Sequence, residues 1–290
     1  MTETAEFPRR VAIIGLGLLG GSVAMSIRRF NPSVRLVAAA RRETTRQYAL
    51  QNRIVDEAVA DPAEAVAGCD LAVVATPVDS IASLVIRLAA ESPDLSLTDV
   101  GSTKARIVQQ VNEHPAAEQF LAAHPIAGSE QTGVQHASED LFDDRPIVLT
   151  PSGRESDLHR RRVEAFWTAT RGRTVVMSAD QHDAHLAVTS HVPHLLSALI
   201  ARTVSPEAFP LVGTGWRDTT RIAAGDPGLW TAIVSENRAA IGASLRSVRT
   251  DLAGLIECIE AADDDQLRSW LSEAQQIRLQ VPTEDAANRS

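Results

Sequence analysis

Val11-Ala-Ile-Ile-Gly15-Leu-Gly17-Leu-Leu-Gly20-Gly21-Ser22 is the stretch that decides the fold. Residues 11–15 read as a buried strand, and Gly15, Gly17 and Gly20 complete a GxGxxG pattern where a helix over 20–30 begins. In that setting the glycines permit a tight turn and let the helix N-terminus approach a diphosphate, whose charge its unpaired N–H groups and dipole favour. A second strand over 34–40 follows at the distance of a βαβ unit. The alternation continues with a helix at 44–52, a strand at 70–76, a helix at 79–90, a strand at 95–100 and a helix at 103–111. Residues 119–123 then lead into a loop at His124, and strands at 146–150 and 174–178 flank a helix at 157–170. This order predicts an α/β fold with an open, doubly wound, Rossmann-type sheet.

After Ser178 no strand is expected, and Ile241, Leu245, Val248, Leu252, Leu255 and Ile259 recur at helical spacing. The division is therefore a dinucleotide-binding domain over 1–178 and an all-helical domain over 179–290. The apolar stripe of the 237–260 helix needs a partner face, which points to a homodimer. Asp263-Asp-Asp265 reads as a turn before a last helix at 266–279.

Composition narrows the functional classes. The 290-residue chain has 28 Lys and Arg against 37 Asp and Glu, a net charge of −9, which argues against nucleic-acid binding. With 44% hydrophobic and 22% charged residues it reads as a soluble globular protein. Cys69 and Cys258 lack metal or CxxC spacing and read as reduced thiols of a cytoplasmic protein. Arg9 and Arg10 ahead of the apolar 11–27 run imitate a secretory signal, but the glycines weaken such a helix and a strand soon follows. No membrane segment is expected.

The tip of the second strand bears on the cofactor. Folds that prefer NAD place an Asp or Glu there for the ribose hydroxyls; this chain has Ala38-Ala-Ala-Arg41-Arg42, which favours NADP over NAD. The expected cofactor residues are Gly15, Gly17, Leu18, Leu19 and Gly20 in the turn, Arg41 and Arg42, and Thr76 at the end of the 70–76 strand.

Four further segments concentrate polar residues: Asp99-Val-Gly-Ser102-Thr-Lys104, His124-Pro-Ile-Ala-Gly-Ser129-Glu130, Ser190-His191-Val-Pro-His194 and Gly215-Trp-Arg-Asp218-Thr-Thr-Arg221. In this order behind GLGLLGGS, they resemble the prephenate dehydrogenase family, which includes cyclohexadienyl and arogenate dehydrogenases. The likeness runs from about Val11 to Trp230. It implies oxidative decarboxylation of prephenate, or of its amino analogue arogenate, on the route to tyrosine, with NADP or NAD as hydride acceptor and no metal.

Such chemistry needs a base effective near neutrality, and histidine suits it. The resemblance assigns that role to His124, with Ser102 hydrogen-bonding near His124 or the substrate hydroxyl to orient them. Arg221 is implied to grip a substrate carboxylate, since a guanidinium can do so with two parallel bonds. His194 is expected at the substrate with His191 in support, and Ser129, Glu130 and Asp218 at the same pocket. Glu130 leans the choice towards prephenate. Trp230 is open between the neighbouring subunit's site, a pocket wall and a core aromatic. His182 and His185, spaced i,i+3, read as polar residues at a helix start or behind the site rather than a metal pair. Lys104 is open between a partner near the cofactor and an exposed helix lysine. No fused mutase or regulatory domain is expected. The competing readings are arogenate dehydrogenase, a β-hydroxyacid dehydrogenase or imine reductase, and an NAD(P) sensor without turnover.

Overall fold

The computed structural model describes residues 7–128 and 131–281. Five strands, β1 (Arg10–Ile14), β2 (Arg35–Ala39), β3 (Glu57–Val59), β4 (Leu71–Val74) and β5 (Ser96–Asp99), form a parallel sheet in the order β3-β2-β1-β4-β5. Parallel pairing requires crossovers, and helices α1 (Leu18–Phe30), α2 (Glu43–Gln51), α3 (Pro62–Val66) and α4 (Val78–Glu91) supply them. Both faces are covered, and the central strands β1, β2 and β4 are accordingly apolar apart from the leading Arg10 and Arg35. Val11, Ile13, Leu36 and Val73 pack with Val23, Ala24 and Ile27 of α1 on one side. On the other, Ala12, Ile14, Val37 and Val74 pack with Ile81, Val85 and Leu88 of α4.

The expected single sheet is in fact two. Helix α5 (Ala105–Asn112) leads to β6 (Ala122–Pro125), which pairs antiparallel with β7 (Pro146–Thr150); β8 (Arg173–Val176) lies parallel to β7. One isolated bridge, Leu97 with Phe120, connects this second sheet to β5. His124, expected in a loop, therefore sits within strand β6, opposite Val148. Between β7 and β8, helix α6 (Asp157–Thr168) buries Phe166 and Trp167, and the Trp167 indole donates to Thr98 Oγ1 at 3.0 Å. That bond ties α6 to β5, one residue before Asp99.

Past β8 the described chain is helical, as expected. Ser178 starts α7 (Ala179–Leu186) with a capping box, bonding Gln181 N–H and receiving the Gln181 side chain on its own N–H. A π turn over Ala187–His191 separates α7 from α8 (Val192–Thr203). Pro193 has no N–H to give the carbonyl one turn back, so the ladder loosens just ahead of it. The run Ala179–Thr203 has the length and mean hydropathy, 1.2, of a membrane span, against the expectation of none. It nevertheless buries His182, Asp183 and His191 in hydrogen bonds within the fold, as a core helix does and a lipid-facing helix does not. Helix α9 (Thr214–Thr220), a 3₁₀ turn at Arg221–Ala224 and α10 (Pro227–Glu236) complete the first compact unit, which ends at Arg238.

The second unit starts at Ala239. It contains all but the first residue of α11 (Arg238–Glu260) and the whole of α12 (Asp264–Gln280). Asp263 caps α12 by accepting from Gln266 N–H at 3.0 Å, so the expected turn ends at Asp263, and Asp264 and Asp265 lie in the first turn of the helix, where its dipole favours them. Leu252, Ile256, Ile259, Leu271 and Ile277 are exposed on these helices.

Candidate active site

The glycine turn has the shape of a diphosphate cradle. Gly15 has φ +106, and a Cβ on it would stand 2.4 Å from the carbonyl oxygen of Ala75; one on Gly20 would stand 2.0 Å from that of Gly15. The two glycines thus let β1, β4 and α1 close on one another. Gly17, which starts α1, faces open space, and no side chain caps the helix. The N–H groups of its first turn, at Leu18 and Leu19, are available to an anion, so the residues present fit a dinucleotide. Thr76, just past β4, is half-buried and accepts from Ser80 Oγ at 2.8 Å. Arg41 and Arg42 are exposed at the tip of β2. Arg46, not singled out in the sequence, donates to the carbonyls of Ala40 and Arg41 at 2.7 and 2.9 Å and so shapes that tip.

The second cluster forms where β5, β6 and α7 meet. His124 is buried on β6, and its Nδ1 lies 2.8 Å from Nε2 of His182. His182 Nδ1 lies 2.8 Å from Asp183 Oδ1. Asp183 also accepts from the backbone N–H groups of Lys104 (2.7 Å) and Ala105 (3.0 Å), and so caps α5 from another element. His182 is therefore a direct partner of His124, in line with the behind-the-site alternative. The signal available in the sequence was the capping box at Ser178, which puts His182 and Asp183 in the first turns of α7.

Lys104 is wholly buried, which removes the exposed-lysine alternative. Its ammonium pairs with Asp99 and donates to the Ala123 carbonyl at 3.0 Å. Asp99 is engaged further by Gly101 N–H at 2.8 Å and Ala123 N–H at 3.0 Å, so the ion pair fastens the end of β5 to β6 beside His124. Burial holds the lysine below its ordinary pKa, with Asp99 opposing. The His124 pKa is depressed well below the usual histidine range, first by burial and then by His182, Lys104 and His191. His124 is thus a neutral imidazole near neutrality. Ser102 is half-buried in the segment between β5 and α5 and makes no hydrogen bond with His124, whose Nδ1 is taken by His182.

The third group lies on α8 to α10. The His194 ring stacks on Trp230, centroids 3.5 Å apart and planes at 12°. A Cβ on Gly225 would come within 2.6 Å of the indole and 3.1 Å of the imidazole, so that glycine lets the turn close over the stack. His194 Nδ1 is buried with no hydrogen-bond partner among the described residues. Asn237 joins His191 to Asp183: its amide donates to the Asp183 carbonyl at 2.7 Å and lies 3.2 Å from His191 Nδ1. Burial lowers the His191 pKa to about 4. Asp218 and Arg221 are exposed, one turn apart at the end of α9. Ser129 and Glu130 lie outside the described residues. Among the described residues no group of three or more His, Cys, Asp or Glu is placed to hold a metal.

Comparison with known proteins explains this assembly. Residues 23–176 match the family model described as prephenate dehydrogenase, nucleotide-binding domain, and residues 178–273 match its dimerization domain. The chain belongs to the prephenate dehydrogenase family. Among its relatives, the cyclohexadienyl dehydrogenase of Zymomonas mobilis is 31% identical, with 95% of this chain and 97% of that protein aligned. The prephenate dehydrogenase of Bacillus subtilis is 30% identical over 96% of this chain and 71% of its own length. Among solved structures, the prephenate dehydrogenase of A. aeolicus in complex with hydroxyphenyl propionate and NAD+ superposes with TM-score 0.88 at 27% identity, covering 94% of this chain and 98% of that one. The arogenate dehydrogenase of Synechocystis gives TM-score 0.79 at 27% identity, covering 93% and 99%. As a member of the prephenate dehydrogenase family, the chain is a dehydrogenase that uses a nicotinamide dinucleotide.

Proposed function

We propose that this family member oxidises and decarboxylates prephenate with NADP as its preferred cofactor, and that His124 accepts the proton of the ring hydroxyl. The observation that carries the reading is the state of His124: a buried, neutral imidazole whose Nδ1 is engaged by His182, leaving Nε2 for substrate. The nicotinamide, when bound, supplies the hydride acceptor. The chain does the rest by placement. Its glycine turn and the start of α1 hold the diphosphate, Arg41 and Arg42 face the 2′-phosphate, and Arg46 holds their backbone. Arg221 takes a substrate carboxylate, as a guanidinium does with two parallel bonds. His194, stacked on Trp230 and with an unpaired Nδ1, offers a hydrogen bond to the substrate, and Ser102 stands near the reacting hydroxyl.

The functional division follows 1–178 for the cofactor and 179–290 for substrate and dimer. A second copy covers the exposed apolar residues of α11 and α12, as the family's dimerization domain supports. Cys69 and Cys258 are free thiols, in keeping with a cytoplasmic enzyme. Arogenate is the competing substrate, supported by the likeness to the Synechocystis enzyme. Initial rates for both substrates with both cofactors test the reading. A kcat/KM at least about tenfold higher for prephenate supports it, and the reverse ratio replaces prephenate by arogenate.

A further inference from the structure

His124, His182 and Asp183 form a directed hydrogen-bond chain, and the direction follows from its far end. Both oxygens of Asp183 accept backbone N–H groups, Oδ1 from Lys104 and Oδ2 from Ala105. Oδ1 is thus an acceptor, and the 2.8 Å contact with His182 Nδ1 requires the proton to lie on that nitrogen. A neutral His182 protonated at Nδ1 has only a lone pair at Nε2. The 2.8 Å contact with His124 therefore requires the proton on His124 Nδ1 and an unprotonated Nε2. We infer that Asp183, acting through His182, sets the tautomer of His124 so that its Nε2 is the base, and stabilises the imidazolium formed when that nitrogen takes the substrate proton. His182 and Asp183 are positioning residues: neither needs to touch substrate.

The surroundings agree. His124 faces the Lys104 ammonium on the β5–α5 side, His182 on α7 and His191 at the end of the π turn; Asp99 neutralises Lys104, and Asp183 is the one carboxylate bonded into the chain. The Lys104 ammonium would oppose a charged His124, and Asp183 is placed to offset it when the proton arrives. Asn237 holds the Asp183 carbonyl and approaches His191, which keeps the acidic end in place. A carboxylate behind a histidine commonly orients it in this way; here a second imidazole stands between them.

The inference rests on His124 being the base, and the experiment separates the two claims. In the full-length enzyme with ¹⁵N-labelled histidine, NMR should find His124 protonated at Nδ1; its signal is assigned by its loss in His124→Asn. His182→Ala should lower kcat by about a hundredfold or more with substrate and cofactor KM within about threefold. It should also move the acid limb of the pH profile away from its wild-type position, because His182 and Asp183 no longer set the affinity of His124 for its proton. His182→Gln should keep kcat within about tenfold, since one amide can accept from His124 and donate to Asp183. A wild-type His124 protonated at Nε2, a His182→Ala enzyme with wild-type kcat and pH profile, or equal losses in both variants would each overturn the inference. A wild-type enzyme that turns over neither prephenate nor arogenate would instead overturn the proposed function. The NMR measurement stands even if a variant fails to fold.

Discussion

At the scale of single residues, the site contrasts a neutral imidazole, the proposed base His124, with the buried charges of Lys104 and Asp99. His124→Asn should lower kcat by about 10²- to 10⁴-fold and leave cofactor affinity unchanged, measured by steady-state rates and cofactor titration. Arg221→Ala should mainly raise the substrate KM, because the proposed grip on a carboxylate would be in place before the chemistry starts. Lys104→Met is of another kind. It strands Asp99 as an unpaired buried charge, and denaturant unfolding should show a loss of about 3–5 kcal/mol. His124, His191, His194 and Arg221 were legible as motif positions. Lys104 was not, because nothing in Gly-Ser-Thr-Lys says whether the lysine points out or in. For His182 a place behind the site was one of the readings left open, but its partner was not legible, being 58 residues away on another element.

At the scale of elements, glycines and a proline do much of the positioning. The GxGxxG turn was fully legible, since strand, turn and helix are local and each glycine has a steric task. The second sheet was not. β6 is four residues long and contains Pro125, so its strand character comes from pairing with β7 rather than from its own pattern. β3 and α3, three and five residues long, were invisible for the same reason. The π turn ahead of Pro193 follows from a missing N–H donor, but the direction it gives His191 and His194 is a tertiary fact. Gly225 supplies the sharpest test at this scale. Gly225→Ala should push Trp230 off His194, raising the substrate KM by about tenfold while the cofactor KM holds, as read by kinetics with each ligand varied in turn.

At the scale of the whole molecule, the net charge of −9 would repel an anionic substrate, so placement must overcome the sum. Arg221, the arginines at the tip of β2 and the open N-terminus of α1 supply local positive potential. The buried histidines also make stability depend on pH. His124, His159, His191 and His194 all have folded pKa values below the unfolded 6.5, with burial the leading cause. Their neutral folded forms cost nothing above pH 6.5, where the unfolded chain is neutral too. Below it the unfolded state binds protons first, so stability falls as pH drops towards about 4, where His191 titrates in the folded state. The melting temperature should therefore fall by roughly 5 °C or more between pH 7 and pH 5, as calorimetry would show.

The central claim is that this assembly oxidises prephenate, and one measurement addresses it most directly. Purified enzyme is given prephenate or arogenate with NADP or NAD, and formation of reduced nicotinamide is followed from the first seconds. The account predicts turnover, fastest with prephenate and NADP, with loss of carbon dioxide matching cofactor reduction one for one. No cofactor reduction in any of the four combinations would contradict it.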